Sequence, residues 1–455
     1  HPAGRERHGV RARAGGVMEP FTLSLVGMAV VVVLVLLGMP IAFVTAAVGL
    51  GGLIALRGFG PAAALVGGVP HSEVSSYTLV VVPFFIMMGS FAASAGITTD
   101  LYRMAKAWLG HLPGGLAIAT TWGTALWSAI SGSSTATAAV MGRMAVPEML
   151  AHGYDRRLAA GSVAAGAAMD ALIPPSVIMI VYGLLTESSI GPLLIAGFIP
   201  GFMEAASFAV LIYVMARRNP TLAPPAARAS WPERGRSVFR AGNWGFLAIF
   251  LSVFGGIYLG VFTPTEAGAI GAFGTFLIAL LLGRLNRHTF SEGLLETGKV
   301  SVMIFIIIAG VLIFARFLAF SGFTQRATDF IIWLGLPRML VLIGFLVVYL
   351  ILGCFLDAIG MMALTLPIFG PIIETLGFDM IWFGILVVKM IEIGLITPPV
   401  GLNIYVLRGV LPQVPTADIF RGVLPFLWIQ FINVIVILLF PQLVLWLPRT
   451  MGLTR

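Results

Sequence analysis

Four short motifs interrupt long apolar segments of this chain, and their residue types suit ion binding. Ser131-Gly-Ser-Ser-Thr135 and Asp357-Ala-Ile-Gly360 each divide one segment, and Pro174-Pro175 and Pro398-Pro399 each divide another. An interrupted helix leaves backbone N–H and C=O groups without partners, which is costly in hydrocarbon unless a cavity or an ion satisfies them. Freed carbonyls and hydroxyls are hard oxygen ligands for a small cation such as Na⁺, and the N-termini of half-helices favour carboxylates. A serine–threonine cluster can also be a plain helix–helix contact, but the matching interruption later in the chain argues against that interpretation.

Ionisable residues inside the apolar segments are candidates for function. Asp170 lies one turn before Pro174 and could bind a proton or a cation, or complete a hydrogen-bond network. Glu392 could take part in ion coupling, although Lys389, one turn earlier on the same helical face, favours a structural ion pair. Arg316 could attract an anionic substrate, but snorkelling to the outer membrane interface is the favoured interpretation.

The composition indicates an integral membrane protein. Of 455 residues, 59% are hydrophobic and 10% charged, whereas an ordinary soluble domain is about 25% charged. The mean hydropathy is +1.01. Several uncharged stretches of about 20 residues are long enough to span a hydrocarbon core about 30 Å thick, and short alternating strands are not visible. The sequence therefore predicts an all-α polytopic membrane protein.

Other classes of protein are disfavoured. The single cysteine, Cys354, excludes a disulfide framework and a cysteine metal cluster, and the six histidines form no HExxH motif. The net charge of +8 does not indicate nucleic-acid binding, because the basic residues lie in connections between apolar spans. Residues 293–299 fit the start of a P-loop, but Val300 stands where a Mg²⁺-binding Ser or Thr is needed.

The order of elements occurs twice. Each half contains a helix pair, a helix, an amphipathic segment, an interrupted hairpin, a helix cut by Pro-Pro, and a closing helix. Residues 91–98 match 317–324, and residues 172–176 match 395–399. The sequence therefore predicts an internal repeat.

The linker 217–240 sets the orientation. It carries six Arg against one Glu, which places it in the cytoplasm by the positive-inside rule. The count of spans then gives the two repeats opposite topology, with re-entrant hairpins and discontinuous helices, the architecture of secondary transporters. The same scheme puts the arginines of residues 1–17 outside, and Met18 begins the first apolar run. We therefore expect 1–17 to be a non-native or disordered extension.

At these motifs the sequence resembles a known family, the large membrane subunit (DctM-like) of tripartite ATP-independent periplasmic (TRAP) transporters. The resemblance rests on residues 131–148, 172–176 and 394–403, and it extends from about Met18 to about Pro448. It implies a bacterial inner-membrane permease that imports an organic acid, such as a C4-dicarboxylate or sialic acid, on a Na⁺ gradient. It also implies two partners, a periplasmic substrate-binding protein (DctP-like) and a small four-helix membrane subunit (DctQ-like). We expect that small subunit to be a separate chain.

The resemblance further implies an elevator mechanism, in which a transport domain moves against a scaffold. We expect scaffold helices in 18–77 and 241–300, together with the last helix in 412–455. The expected transport domain covers 78–190, with a hairpin at 112–150 and a broken helix at 158–190, and 301–411, with a hairpin at 338–375 and a broken helix at 380–411. Residues 191–216 would be the helix that closes the first repeat.

By the same resemblance, Na⁺ lies where each hairpin tip meets its broken helix, and substrate lies between the tips. The implied substrate residues are Ser133, Thr135 and Asn403. One departure concerns Asp170, where the family commonly has a small residue; a carboxylate there would alter ion binding, add proton coupling, or suit a less acidic substrate. The implied Na⁺ residues are Ser131, Gly132, Ser134 and Pro174 in the first half, and Asp357, Gly360, Thr397 and Pro399 in the second.

Three alternatives remain beside this hypothesis. A stand-alone Na⁺/dicarboxylate symporter would have related architecture without a binding protein. A membrane-embedded enzyme lacks support, because no catalytic Asp pair or Ser–His pairing is evident. A passive channel is disfavoured, because two hairpins of opposite orientation indicate alternating access.

Overall fold

The computed structural model describes residues 18–74 and 76–452, with side chains described except those of 69–74. The extension expected at 1–17 lies outside the described residues. Within them, all regular structure is helical and no strand occurs. By length and composition, seven helical runs can cross a membrane: Tyr77–Ser94, Ile190–Arg218, Ala241–Tyr258, Pro264–Leu281, Arg287–Phe320, Ala358–Thr375 and Thr416–Leu439. The prediction of an all-α polytopic membrane protein is confirmed.

The first half of the chain contains eleven α-helices in the described residues. A 3₁₀ turn, Tyr77–Val80, leads into α4, and a second, Met169–Ala171, follows α8. The helices are α1 Pro20–Leu36, α2 Ile41–Arg57, α3 Phe59–Val74, α4 Val81–Ser94, α5 Ile97–Leu109, α6 Gly115–Ser131, α7 Ser134–Ala151, α8 Arg156–Ala168, α9 Val177–Leu185, α10 Ile190–Ala196 and α11 Phe198–Arg218.

The linker and the second half contain twelve more. A π-helical turn, Leu251–Gly255, joins α13 to the single turn α14. The helices are α12 Trp231–Val238, α13 Ala241–Phe250, α14 Gly256–Tyr258, α15 Pro264–Leu281, α16 Arg287–Phe320, α17 Phe323–Trp333, α18 Arg338–Gly353, α19 Ala358–Thr375, α20 Met380–Ile396, α21 Leu402–Val410, α22 Thr416–Leu439 and α23 Gln442–Thr450.

The linker is less irregular than its composition predicts, because α12 lies within it. Ser230 and Glu233 form a capping box, in which the Ser230 N–H donates to Glu233 Oε2 at 2.8 Å. This hydrogen bond holds the pKa of the exposed Glu233 carboxyl below its usual value. The guanidinium of Arg234 contacts the rings of both Trp108 on α5 and Trp231, at 5.7 and 5.2 Å from their centroids, and helps to hold α12 on α5.

Other boundaries also differ from the sequence-based expectation. Helix α16 crosses the expected limit between 241–300 and 301–411, and its 34 residues span about 51 Å. Asn286 caps this helix by accepting a hydrogen bond from Thr289 N–H at 2.8 Å. The closing helix expected in 191–216 is divided at Gly197, and the last helix expected in 412–455 is divided before Gln442.

Two groups of helices pack extensively among themselves, and contacts of α4 with α6 and of α16 with α19 connect the two groups. In the first group, α16 packs along α2 and α4, and α15 packs along α4. In the second group, α8 packs against α6, α7 and α22, and α20 packs against α18 and α22. The last long helix, α22, contacts α8, α11 and α20. It therefore lies with the interrupted helices, and the expectation that it accompanies the scaffold helices is not supported by this packing.

Small residues allow α8 and α22 to approach closely. A Cβ atom added to Gly161 on α8 would overlap the backbone of Gly422 on α22, and one added to Gly422 would overlap the backbone of Arg157. Close backbone contact of this kind is common between membrane helices, because burial of apolar side chains provides little driving force for helix association in lipid.

This contact predicts opposite effects for two Gly-to-Ala changes. Gly161→Ala should destabilise the protein by roughly 1–3 kcal/mol, because the methyl group meets backbone that cannot easily move. Gly344→Ala on α18 places its methyl in open space and should be neutral or stabilising, since Ala favours helices. Thermal denaturation of the detergent-solubilised variants checks this. Equal melting temperatures for both variants would show that the α8–α22 contact does not restrict this position.

Candidate functional site

The first hairpin turns over at residues 131–134, here called the first tip. Helix α6 ends at Gly132, whose φ of +70° is a left-handed conformation that glycine adopts without steric cost. Ser133 then caps α7 by accepting a hydrogen bond from Ala136 N–H at 3.4 Å. The Ser-Gly-Ser order thus ends one helix and begins the next within two residues.

The first broken helix is interrupted at residues 172–176, here called the first break. Ser176 caps α9 by accepting a hydrogen bond from Met179 N–H at 3.2 Å, and its hydroxyl donates to Ala171 O at 2.5 Å. The first tip touches this break, because a Cβ on Gly132 would lie 2.8 Å from the carbonyl oxygen of Pro175. The structure therefore brings Gly132 to the Pro174-Pro175 segment.

A buried carboxylate joins the tip to the broken helix. Thr137 Oγ1 donates to Asp170 Oδ2 at 2.8 Å. Ser131 Oγ lies 3.0 Å from Thr137 Oγ1; since the single Thr137 proton goes to Asp170, Ser131 is the donor of this second hydrogen bond. Asp170 is 0% exposed, and its Oδ1 has no hydrogen-bond partner in the described part of the chain. The buried hydroxyls of Ser128 and Ser134 are unpartnered there as well.

The second hairpin turns over at residues 354–357, here called the second tip. Asp357 is exposed and caps α19, with its Oδ2 accepting hydrogen bonds from Ile359 N–H and Gly360 N–H, both at 3.1 Å. The second break covers residues 397–401, where the Thr397 hydroxyl donates to Ile393 O at 2.5 Å. Pro399 is exposed in this break.

A cavity of about 200 Å³ lies between the second tip and the second break. Asp357 and Gly353 line it on the hairpin side, and Gly401 and Leu402 line it on the side of the broken helix. Gly394 and Gly353 approach closely enough that a Cβ on Gly394 would lie 2.8 Å from the Gly353 Cα. As in the first half, the tip and the break are neighbours.

The predicted substrate residues lie on two helices that contact each other. Thr135 Oγ1 is 3.3 Å from Ser133 Oγ at the start of α7, and Asn403 lies at the start of α21. Helix α21 packs against α7. Asn403 is fully buried, and both polar atoms of its amide lack partners among the described residues. A buried amide without partners is costly, so its polar atoms are candidates for hydrogen bonds to a ligand.

Arg316 is not brought into this arrangement. It is exposed on α16 and forms no hydrogen bond or ion pair with the residues that the structure describes. Its position favours the snorkelling interpretation over a direct role in substrate binding.

A buried charge cluster joins α11, α20 and α22. The predicted Lys389–Glu392 pair is present, with Nζ 2.5 Å from Glu392 Oε2, and both side chains are 0% exposed. Lys389 also donates to Glu204 and to the amide oxygen of Gln430, and Gln430 donates to the second oxygen of Glu204. Glu204 and Gln430 were not predicted as members of this cluster. Each is a polar residue in an otherwise apolar helical stretch, and that pattern could have indicated a role.

The comparisons with known proteins agree with one another. A family model described as "Tripartite ATP-independent periplasmic transporter, DctM component" matches residues 28–443. The C4-dicarboxylate TRAP transporter large permease protein DctM of Pseudomonas aeruginosa is 37% identical over 409 residues, which are 89% of this chain and 94% of that protein. The sialic acid TRAP transporter large permease protein SiaM of Vibrio cholerae is 32% identical over 418 residues, 90% of this chain and 95% of that protein.

A solved structure supports the fold. The crystal structure of the Alcanivorax borkumensis YdaH transporter aligns with a TM-score of 0.63, covering 92% of this chain and 98% of that one. The sequence identity is 15%, so this similarity concerns the fold alone.

The buried cluster predicts a ranked series of stability changes. Lys389→Met leaves two buried carboxylates without their cation and should cost roughly 3–5 kcal/mol. Glu392→Gln keeps Lys389 paired with Glu204 and should cost much less. Lys106→Met removes a partly exposed ion pair with Glu148 and should cost about 0–1 kcal/mol. Thermal denaturation in detergent checks the order, and a Lys389→Met protein as stable as Lys106→Met would refute the cluster's role.

Proposed function

Because this chain belongs to the DctM family of tripartite ATP-independent periplasmic transporters, we propose that it is the large permease subunit of an organic-acid importer driven by a Na⁺ gradient. The observation that carries the proposal is the meeting of each hairpin tip with a break in a neighbouring helix. Each meeting point offers oxygen ligands or a cavity. The relatives named above are transporter subunits, and we expect no enzymatic activity.

The proposed Na⁺ residues fit a small hard cation by their donor types. In the first half, Ser131 and Ser134 supply hydroxyls, with backbone groups at Gly132 and Pro174. The unpartnered Ser134 hydroxyl is buried at this point, so an oxygen ligand is available. In the second half, Asp357 lines the cavity beside the second break, and Thr397 and Pro399 would supply backbone carbonyls from that break, with Gly360 at the start of α19. Na⁺ is cargo in this scheme, and each net positive charge moved inward gains roughly 2.3 kcal/mol per 100 mV.

The proposed substrate is a small organic acid held between α7 and α21. The N-terminus of α7, with Ser133 and Thr135, and the buried amide of Asn403 are suited to carboxylate oxygens. The two relatives are named for a C4-dicarboxylate and for sialic acid, which are both organic acids. The shared site residues suit carboxylates as a class.

The proposed movement is an elevator, in which the two interrupted hairpins and broken helices carry the cargo past a scaffold. The contacts among α6, α7, α8 and α20, which belong to the first hairpin and to both broken helices, support a common moving body. Tight contacts within the second group, such as Gly161 against Gly422, would let it move as one body.

Two protein partners complete the proposed complex in a bacterial inner membrane. The family name denotes a tripartite system, and we expect a small DctQ-like membrane subunit and a periplasmic DctP-like binding protein. The linker 217–240 would lie in the cytoplasm, with its arginines following the positive-inside rule.

Transport by the reconstituted complex should require the Na⁺ gradient and the binding protein together. Proteoliposomes with this chain and its small subunit would be given a panel of labelled organic acids, with the cognate binding protein and an inward Na⁺ gradient present or absent. We expect concentrative uptake of one class of acid only when both are present. Uptake without the binding protein would instead establish a stand-alone symporter, and a single-channel current would establish a channel.

Bulky substitutions at the substrate site should abolish uptake without loss of the protein. Ser133→Leu and Asn403→Leu each fill the space between α7 and α21, and uptake should fall to background while the protein still inserts and elutes as a single species. Ser291→Leu, on an exposed face of α16, is a matched control and should transport normally. Normal uptake by both site variants would refute the site assignment.

A further inference from the structure

We infer that Asp170 is a charged ligand for a monovalent cation at the point where the first tip meets the first broken helix. The inference rests on the proposed function and deepens it, because it makes the first cation site an anionic one.

The geometry of the carboxylate is that of an incomplete site. Asp170 lies in the 3₁₀ turn that ends the first half of the broken helix, and it is 0% exposed. Its Oδ2 is fixed by the hydroxyl of Thr137, whereas its Oδ1 lacks a partner among the described residues. The lone pairs of Oδ1 are therefore available to a ligand.

The charge of this carboxylate is not balanced by the protein. In the described part of the chain, no Lys, Arg or His forms an ion pair with Asp170, although other buried acids such as Glu204 do have a basic partner. A buried charge without a counter-charge is strongly unfavourable. A bound cation would supply the missing positive charge at the free oxygen.

The neighbouring groups match a small hard cation. The hydroxyls of Ser128 and Ser131 and the backbone of Gly132 lie near the carboxyl group, and Ser128 Oγ is buried and unpartnered. Ser131 donates its proton to Thr137 and accepts a hydrogen bond from Ser133 N–H at 3.4 Å, so one of its lone pairs remains available. One carboxylate among neutral oxygens balances a single positive charge. The described residues contain no group of three or more His, Cys, Asp or Glu that would hold a divalent or transition metal.

The two proposed cation sites therefore differ in charge. At the second tip, Asp357 is exposed, and one of its oxygens already accepts two backbone hydrogen bonds as a helix cap. At the first tip, the buried carboxylate adds direct attraction for the cation. The Asp170 carboxylate is part of the protein and is not released with the cargo. It therefore changes the affinity for the cation but does not by itself change the net charge transported in each cycle.

Na⁺ binding without substrate tests the inference independently of transport. The purified two-subunit membrane complex would be heated in detergent at fixed ionic strength, with NaCl replacing choline chloride, and its Na⁺-dependent stabilisation recorded. Asp170→Asn, which keeps the shape and removes the charge, should raise the Na⁺ concentration for half-maximal stabilisation at least tenfold. Asp329→Asn, an exposed carboxylate on α17, is the matched control and should leave it unchanged.

Each outcome has a defined meaning. If Asp170→Asn does not fold, Asp170→Ser keeps an oxygen without the charge and should show the same tenfold rise. An unchanged half-maximal Na⁺ concentration in a folded variant overturns the inference, even when wild-type uptake is Na⁺-driven. Wild-type uptake that does not depend on the Na⁺ gradient would instead overturn the proposed function. Stabilisation of the wild type by K⁺ and Na⁺ at equal concentrations would assign the carboxylate to a non-selective cation site and overturn its role in Na⁺ coupling.

Discussion

The arrangement depends on one constraint, which is that a backbone that stops being helical inside a membrane must find partners for its freed N–H and C=O groups. Side-chain caps meet part of this requirement, since Ser133, Ser176 and Asp357 each accept hydrogen bonds from the next half-helix. Near the tips and breaks, buried polar atoms of Ser134, Asp170 and Asn403 remain without partners among the described residues. The same interruptions that weaken the helices therefore create the ligands that cargo can use.

Buried charge follows two distinct patterns in this protein. Lys389 is surrounded by three acceptors from three helices, two of them carboxylates, and the cluster ties α11, α20 and α22 together. Asp170 has one donor and a free oxygen, so its charge is open to a ligand. The Lys389 cluster, which joins three helices, suits a set of helices that moves as a unit. The Asp170 carboxylate, which has an unpartnered oxygen, suits a site that binds and releases a cation.

The interruptions were predictable because Gly, Pro and hydroxyl residues are local signals within apolar segments. Helices end or begin at both tips and both breaks, as the motifs indicate. The partners of Lys389 were not predictable, because Glu204 is 185 residues away along the chain and hydrophobicity gives no register between helices. Helix α12 and the early start of α16 were missed for another reason: hydrophobicity marks the membrane core, whereas helix ends are set by caps such as Ser230 with Glu233.

Hydrogen–deuterium exchange of the detergent-solubilised complex, in NaCl and in choline chloride of equal ionic strength, tests whether the interruptions are the cation sites. Amides in residues 131–137, 354–361 and 395–403 should exchange more slowly with Na⁺, because a bound ion holds each tip against its break. Helices remote from them, such as α1 and α12, should be unaffected. Exchange at the tips and breaks that is independent of Na⁺, or protection confined to other helices, would show that the interruptions serve another purpose.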